Sequence, residues 1–160
     1  MNPILRWAHG LALVLLAVAF APLAVMAHSH KVKGLEIVHP WTFAASGTGG
    51  AARVSMTIKN TSGAPERLLR ASSPVAAKVE LREAADAGAT LSSKPLPAVP
   101  IPAGQEVDLT IKGAHVLLTG VKKRLDAHGT FKLTLVFEKA GSVVVDVMVE
   151  ENEQKAPARP

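Results

Sequence analysis

Histidine carries what metal chemistry this sequence can do, because cysteine is absent and neither a disulfide framework nor a thiolate metal site can form. Two places stand out. Residues His28-Ser29-His30 follow the small-residue stretch Val25-Met26-Ala27, and cleavage after Ala27 would make them the first three residues of the chain. A free amine followed by two residues, the second a histidine, can wrap Cu(II) or Ni(II) in a square plane. The donors are the amine, two deprotonated amides and the imidazole of His30, which suits the tetragonal preference of Cu(II). Against this stands a plainer reading, since frayed termini are common and histidines there are often idle. The second place is His115, within the strand-like run Ala-His-Val-Leu-Leu, 114 to 118. A lone histidine on a strand is more often structural than a ligand. His39 is a possible further metal ligand, although capping or packing is the better explanation. Tyrosine is also absent, and no nucleophile elbow, phosphate-cradling glycine motif or carboxylate pair stands out, so an enzyme is not expected.

Cleavage after Ala27 is itself a reading of pattern. Arg6 gives a positive start, Leu11 to Ala24 are almost wholly apolar, and Val25 and Ala27 occupy the minus-three and minus-one positions of a secretory signal peptide. The apolar run falls short of the roughly 20 residues a spanning helix needs, so no stable membrane span is expected after cleavage. The expected organisation is a signal peptide at 1–27, one domain at 28–150 and a polar, disordered tail at 151–160. Formal charge is +5 for the whole chain. Apart from Lys122-Lys123-Arg124 the basic residues are spread out, and a basic run that short is usually a solvated loop, so no nucleic-acid function is read. The sequence supplies no cysteine to carry a lipid.

The elements that would position these residues are short and alternating. Runs at 78–82, 106–111 and 114–118 are joined by links rich in Pro, Gly and Ala, the pattern of half-buried strands. Upstream, Leu35 and Ile37 alternate with Glu36, Pro40 is expected to end that pairing, and Trp41 to pack on the core. Arg53 to Lys59 turns Val54, Met56 and Ile58 inward, and Leu68 anchors the next strand. Pro95, Pro97, Pro100 and Pro102 stiffen a segment that cannot be a central strand. Phe131, Leu133, Leu135 and Phe137 share one face of a hairpin whose return strand presents Val143, Val145, Val147 and Val149. No sustained helical period appears beyond the signal. The fold class is all-β, an antiparallel sandwich or barrel.

Three stretches, Val-Glu-Leu-Arg-Glu-Ala (79–84), Pro-Ile-Pro-Ala-Gly-Gln-Glu-Val-Asp-Leu (100–109) and Gly-Ala-His-Val-Leu-Leu-Thr-Gly-Val-Lys (113–122), resemble the core of the periplasmic copper chaperones called PCu(A)C. The opening strand with His-Pro-Trp at 39–41 is similar too. The resemblance covers roughly 28 to 150 and implies a cupredoxin-like Greek-key β-sandwich in the periplasm that passes copper to a partner such as cytochrome oxidase. The family sets its ligands as His-x10-Met-x21-His-x-Met. On this chain that frame falls, without a gap, on Arg82, Ser93, His115 and Leu117. Leu117 keeps the shape of a methionine without its sulfur, Ser93 is a hard, weak donor, and Arg82 is a fixed cation that cannot ligate. Copper is therefore expected as Cu(II) at His28 and His30, helped by His39 or His115 if the fold brings either close, rather than as Cu(I) on the family frame. The alternative is a metal-free relative serving as a binding or scaffold module.

Overall fold

Alternation of apolar and polar residues becomes eleven strands and no helix among the residues described in this computed structural model, 29–45, 47–84, 93–110 and 113–151. In chain order they are β1 (Ser29–Val32), β2 (Leu35–Phe43), β3 (Ala51–Asn60), β4 (Glu66–Ser72), β5 (Ala76–Ala84), β6 (Ser93–Pro95), β7 (Val99–Ile101), β8 (Glu106–Leu109), β9 (Ala114–Val121), β10 (Thr130–Phe137) and β11 (Gly141–Glu150). The expected signal peptide, His28 and residues 152–160 of the expected tail lie outside the described residues.

The best-patterned runs make the core. β10 and β11 pair as a hairpin that closes with Phe137 level with Gly141, whose φ of 78° suits a residue without a Cβ. All eight alternating residues of that hairpin, Phe131 to Phe137 and Val143 to Val149, are buried, as are Val54, Met56, Ile58 and Leu68. Each such side chain contributes about 1.5–3 kcal/mol by leaving water.

The hydrogen-bonded order is β6-β5-β9-β3-β2-β11-β10-β4-β7, with β1 added to β2 and β8 to β3. β11 runs parallel to β2, with Met148 level with Trp41, and the other pairs are antiparallel, so the sheet is mixed at one seam. The prolines fall at its margins: Pro95 ends β6 and Pro100 is the middle of β7, the two outermost strands of the order.

Two strands change partner partway, and both changes matter for the site. β3 pairs with β9 over Ala51–Val54 and with β8 over Met56–Lys59, so Ser55 stands where the sheet divides into two leaves. β2 pairs with β1 up to Val38 and with β11 from Trp41 onward. A bulge fills the gap, and His39 within it has a left-handed φ of 48°. The expectation that Pro40 ends this strand is therefore corrected. Pro40 sits at the change of partner, where its missing N–H is not required, and β2 continues to Phe43. The bulge also reverses the alternation. Leu35 and Ile37 face the core before it, Pro40 and Thr42 after it, and Trp41 is sent outward to lie half-buried against Phe43, ring centroids 4.9 Å apart and edge to face. Trp41 is thus not the core residue the sequence suggested.

Candidate metal site

β9 lies between β5 and β3, and their registers decide which side chains meet. Arg82 is level with His115, Glu80 with Leu117 on one side, and Arg53 with Leu117 on the other. Residues two apart on a strand share a face, so Glu80, Arg82, His115, Leu117 and Arg53 stand together. β6 completes the group, because Arg82 Nε donates to Ser93 Oγ at 2.8 Å and its Nη2 donates to the Ser93 carbonyl. Arg82, Ser93, His115 and Leu117, far apart in the chain, are neighbours on one face.

His115 is completely buried. Its Nδ1 donates to the Gly113 carbonyl at 2.9 Å. A carbonyl only accepts, so the proton is on Nδ1 and the lone pair on Nε2, which has no hydrogen-bond partner among the described residues. Burial holds this imidazole below its usual pKa of 6.5; the Gly113 carbonyl opposes that, and the charges of Arg53 and Arg82 add to it. Arg53 Nε and Ser55 Oγ are likewise buried and unpartnered. Ser55 is two residues from Arg53 on β3, and the register pairing Val54 with Val116 leads next to Ser55 and His115.

The face already holds a cation. The Arg82 guanidinium is bound by Ser93 and lies 3.5 Å, Nη1 to Oε2, from Glu80. A 2.9 Å bond from Lys78, with the Arg82 charge, holds the Glu80 carboxyl below its usual range against some desolvation. A metal ion at His115 Nε2 would meet two guanidiniums and no second nitrogen or sulfur donor from Arg82, Ser93 or Leu117. Among the described residues no three His, Asp or Glu side chains are grouped to hold a metal.

The depressed pKa of His115 sets a pH dependence. Above about 6.5 both folded and unfolded chains keep the ring neutral and its contribution is fully present. As pH falls below that value, the unfolded chain takes up a proton that the folded chain refuses, and stability drops until the folded pKa is passed. Urea midpoints at pH 7.5 and 5.5 are expected to differ more for the parent than for His115→Gln. Equal differences would remove His115 as the cause.

The other histidines lie elsewhere. His30 is in β1, level with Ile37, and its Nε2 accepts from the Asp146 N–H at 3.4 Å. His39 is half exposed and its Nε2 is 2.8 Å from Glu150 Oε1. It borders an open groove of about 430 Å³ shared with Trp41, Ser55 and Asp108. β1 begins with Ser29 level with Val38, so the chain enters the sheet beside His39, whereas His115 lies two strands away in the hydrogen-bonded order. Sequence reasoning missed Arg53, Ser55 and Glu150 as neighbours of the candidate ligands. The i, i+2 spacing of Arg53 and Ser55 was the only local signal, and it does not name the partner strand.

Comparisons with known proteins agree with this architecture. The LpqE-like family, described as "Putative lipoprotein LpqE-like", matches residues 35–149. The "Putative lipoprotein Lxx21020" of Leifsonia xyli subsp. xyli is 28% identical over 131 residues, which are 81% of this chain and 78% of that protein. Among solved structures, the copper-bound PCuAC domain from PmoF2 superposes with a TM-score of 0.68 at 30% identity, covering 78% of this chain and 99% of that domain. The CuI-DR1885 solution structure from Deinococcus radiodurans gives 0.57 at 26% identity over 79% of this chain and 83% of that one.

Proposed function

The chain belongs to the LpqE-like family and has the cupredoxin-like all-β fold of PCuAC copper chaperone domains, and from this premise we propose that it is an exported, non-enzymatic copper-handling protein of the periplasm. It takes copper as Cu(II) through His28 and His30 at its processed terminus, rather than as Cu(I) on the β5–β6–β9 face. The acceptor is a copper-requiring protein such as a cytochrome oxidase subunit. Copper is supported by the copper-bound structural relatives, and export by the apolar segment before Ala27 and by relatives described as lipoproteins.

The single observation that moves the metal away from His115 is the Arg82–Ser93 hydrogen bond, which sets a permanent cation where a ligand of the family frame would stand. The terminal mode has its own cost. Using the amides of Ser29 and His30 as donors takes both residues out of their pairing with Val38 and Ile37. The same Arg82–Ser93 bond favours a second reading, a metal-free module that keeps the sandwich for binding a partner.

A Cu(II) titration separates these readings. Protein processed to begin at His28 is expected to bind one equivalent with a visible d–d band, and one extra residue before His28 is expected to weaken binding at least about a hundredfold, because the terminal amine leaves the chelate. Equal binding in both forms would reject the terminal site, and no binding in either would favour the metal-free module.

A further inference from the structure

We propose that the groove between Trp41 and Asp108 docks an arginine side chain of a partner polypeptide. The inference is independent of where copper binds.

The strand registers build the groove. Trp41 on β2 is level with Ser55 on β3, and Val38 is level with Thr57, which is level in turn with Asp108 on β8. Ser55 and Thr57 are two apart on one strand and share a face, so Trp41 and Asp108 stand on opposite sides of a row of small hydroxyl side chains. Neighbouring strands lie about 4.7–4.9 Å apart, which sets these two walls roughly 9–10 Å from each other. The space between them is about 430 Å³, and Val38, Met56 and Leu109 add apolar lining.

Charge selects what enters. Asp108 is exposed, and its one hydrogen bond among the described residues is the 2.5 Å donation from Thr57 Oγ1 to Oδ1. Every other described acidic side chain except Glu66 lies within 3.8 Å of a lysine, arginine or histidine nitrogen. Glu66 is satisfied by three backbone N–H groups. Asp108 alone among the described residues has neither kind of partner, in a chain of formal charge +5. Its second oxygen, Oδ2, is left to accept from a cation.

Trp41 and Ser55 narrow the kind of cation. The bulge at His39 and Pro40 turns the indole outward and half-buried, and an indole face attracts a cation within about 6 Å of its centroid. Ser55 Oγ is buried without a hydrogen-bond partner among the described residues, and Ser55 lines the same groove. A hydroxyl oxygen accepts as well as donates. A carboxylate on one wall, an aromatic face on the other and an accepting hydroxyl between them suit a guanidinium, which stacks through its plane and donates from several N–H groups at once. Its methylene stem suits the apolar lining. A metal ion is the poorer match, because among the described residues no three His, Asp or Glu side chains are grouped to hold one. The groove stays open to solvent, as suits a side chain presented by a second protein. A merely solvated carboxylate is the competing account, but it gives no reason for the buried hydroxyl beside an outward-turned tryptophan.

Trp41 provides the readout. Protein processed to begin at His28 keeps every described strand and has Trp41 as its one tryptophan. N-acetyl-alanyl-arginyl-alanine amide titrated into it at low ionic strength is expected to give a saturable shift of the Trp41 indole N–H resonance. Citrulline in place of the arginine keeps the shape and loses the charge, and is expected to weaken binding at least about tenfold, as is Asp108→Asn in the protein. Glu106→Gln removes the same charge two residues away on β8, where Glu106 is paired with Lys59, and should change affinity less than about twofold. Thermal unfolding of each variant checks that the sandwich persists. The inference is overturned by the absence of a saturable shift, by equal binding of the citrulline peptide, or by equal weakening in Asp108→Asn and Glu106→Gln. Free L-arginine binding as tightly as the peptide would overturn the polypeptide partner and assign the groove to a small molecule.

Discussion

Installing R82H, S93M and L117M together is expected to create a Cu(I) site on the β5–β6–β9 face, with affinity at least about a hundredfold above that of the parent, the scale on which even supporting partners of metal ligands act. The four positions already converge. Arg82 faces His115 across the strand pair, Ser93 is bonded to Arg82, and Leu117 lies two residues beyond His115, a separation of about 6.6–6.8 Å along a strand. The Nε2 lone pair of His115 is buried and unpartnered, so one donor is in place without rearrangement. The exchange supplies one imidazole and two thioethers, donors that suit Cu(I), and removes a guanidinium charge from the face. Competition against a chromophoric Cu(I) chelator measures the gain. Adding His115→Ala to the triple variant should return affinity to the parent level. A triple variant that folds and still binds no Cu(I) would show that the face does not have ligand geometry.

The largest loss of stability outside the apolar core is expected from Glu66→Ala, at about 3 kcal/mol or more. Glu66 is nearly buried at the start of β4, and its carboxylate accepts from the backbone N–H groups of Arg67 at 2.8 Å, Lys139 at 3.0 Å and Ala140 at 2.8 Å. The last two belong to the turn of the β10–β11 hairpin, so one side chain ties β4, the second strand from one margin, to the hairpin beside it. Alanine would leave these donors without acceptors, each at a cost of about 1–3 kcal/mol where water cannot reach. Burial alone would raise the Glu66 pKa, but the three N–H groups and Lys139 outweigh it and the net shift is downward from 4.5. The stabilisation is therefore present above about pH 4.5 and disappears as pH falls through the lower folded value. Urea unfolding at pH 7 and pH 4 tests both statements. Glu66→Gln, which keeps one accepting oxygen, should lie between parent and alanine, and an alanine variant within about 0.5 kcal/mol of the parent would refute the assignment.

What could be read from the sequence follows the reach of each signal. Period-two alternation acts over neighbouring residues, so the inward residues of β3, β10 and β11 and the burial of Leu68 and Met56 were legible. The reversal at His39-Pro40 was not, because it depends on β2 exchanging β1 for β11, and β11 lies about a hundred residues further along the chain. Trp41 was misplaced for the same reason. The parallel seam between β2 and β11 is equally non-local. The convergence of positions 82, 93, 115 and 117 was implied by family resemblance, and registers through β5, β6 and β9 give it a physical basis. Arg53, Ser55 and Glu150 carried no signal toward the candidate ligands, since each reaches them from a strand whose pairing the sequence does not announce.

The prolines of the two outermost strands bear on how separate molecules of this protein behave toward one another. A sheet that does not close on itself ends in rows of unpaired N–H and C=O groups, which can template the strand of another chain. Two of those ends are three-residue strands, β6 finishing at Pro95 and β7 centred on Pro100. Neither proline can donate, and a ladder that short with a donor missing offers an incoming strand almost no grip. These two ends of the sheet are thus poor templates for fusion with a strand of another molecule.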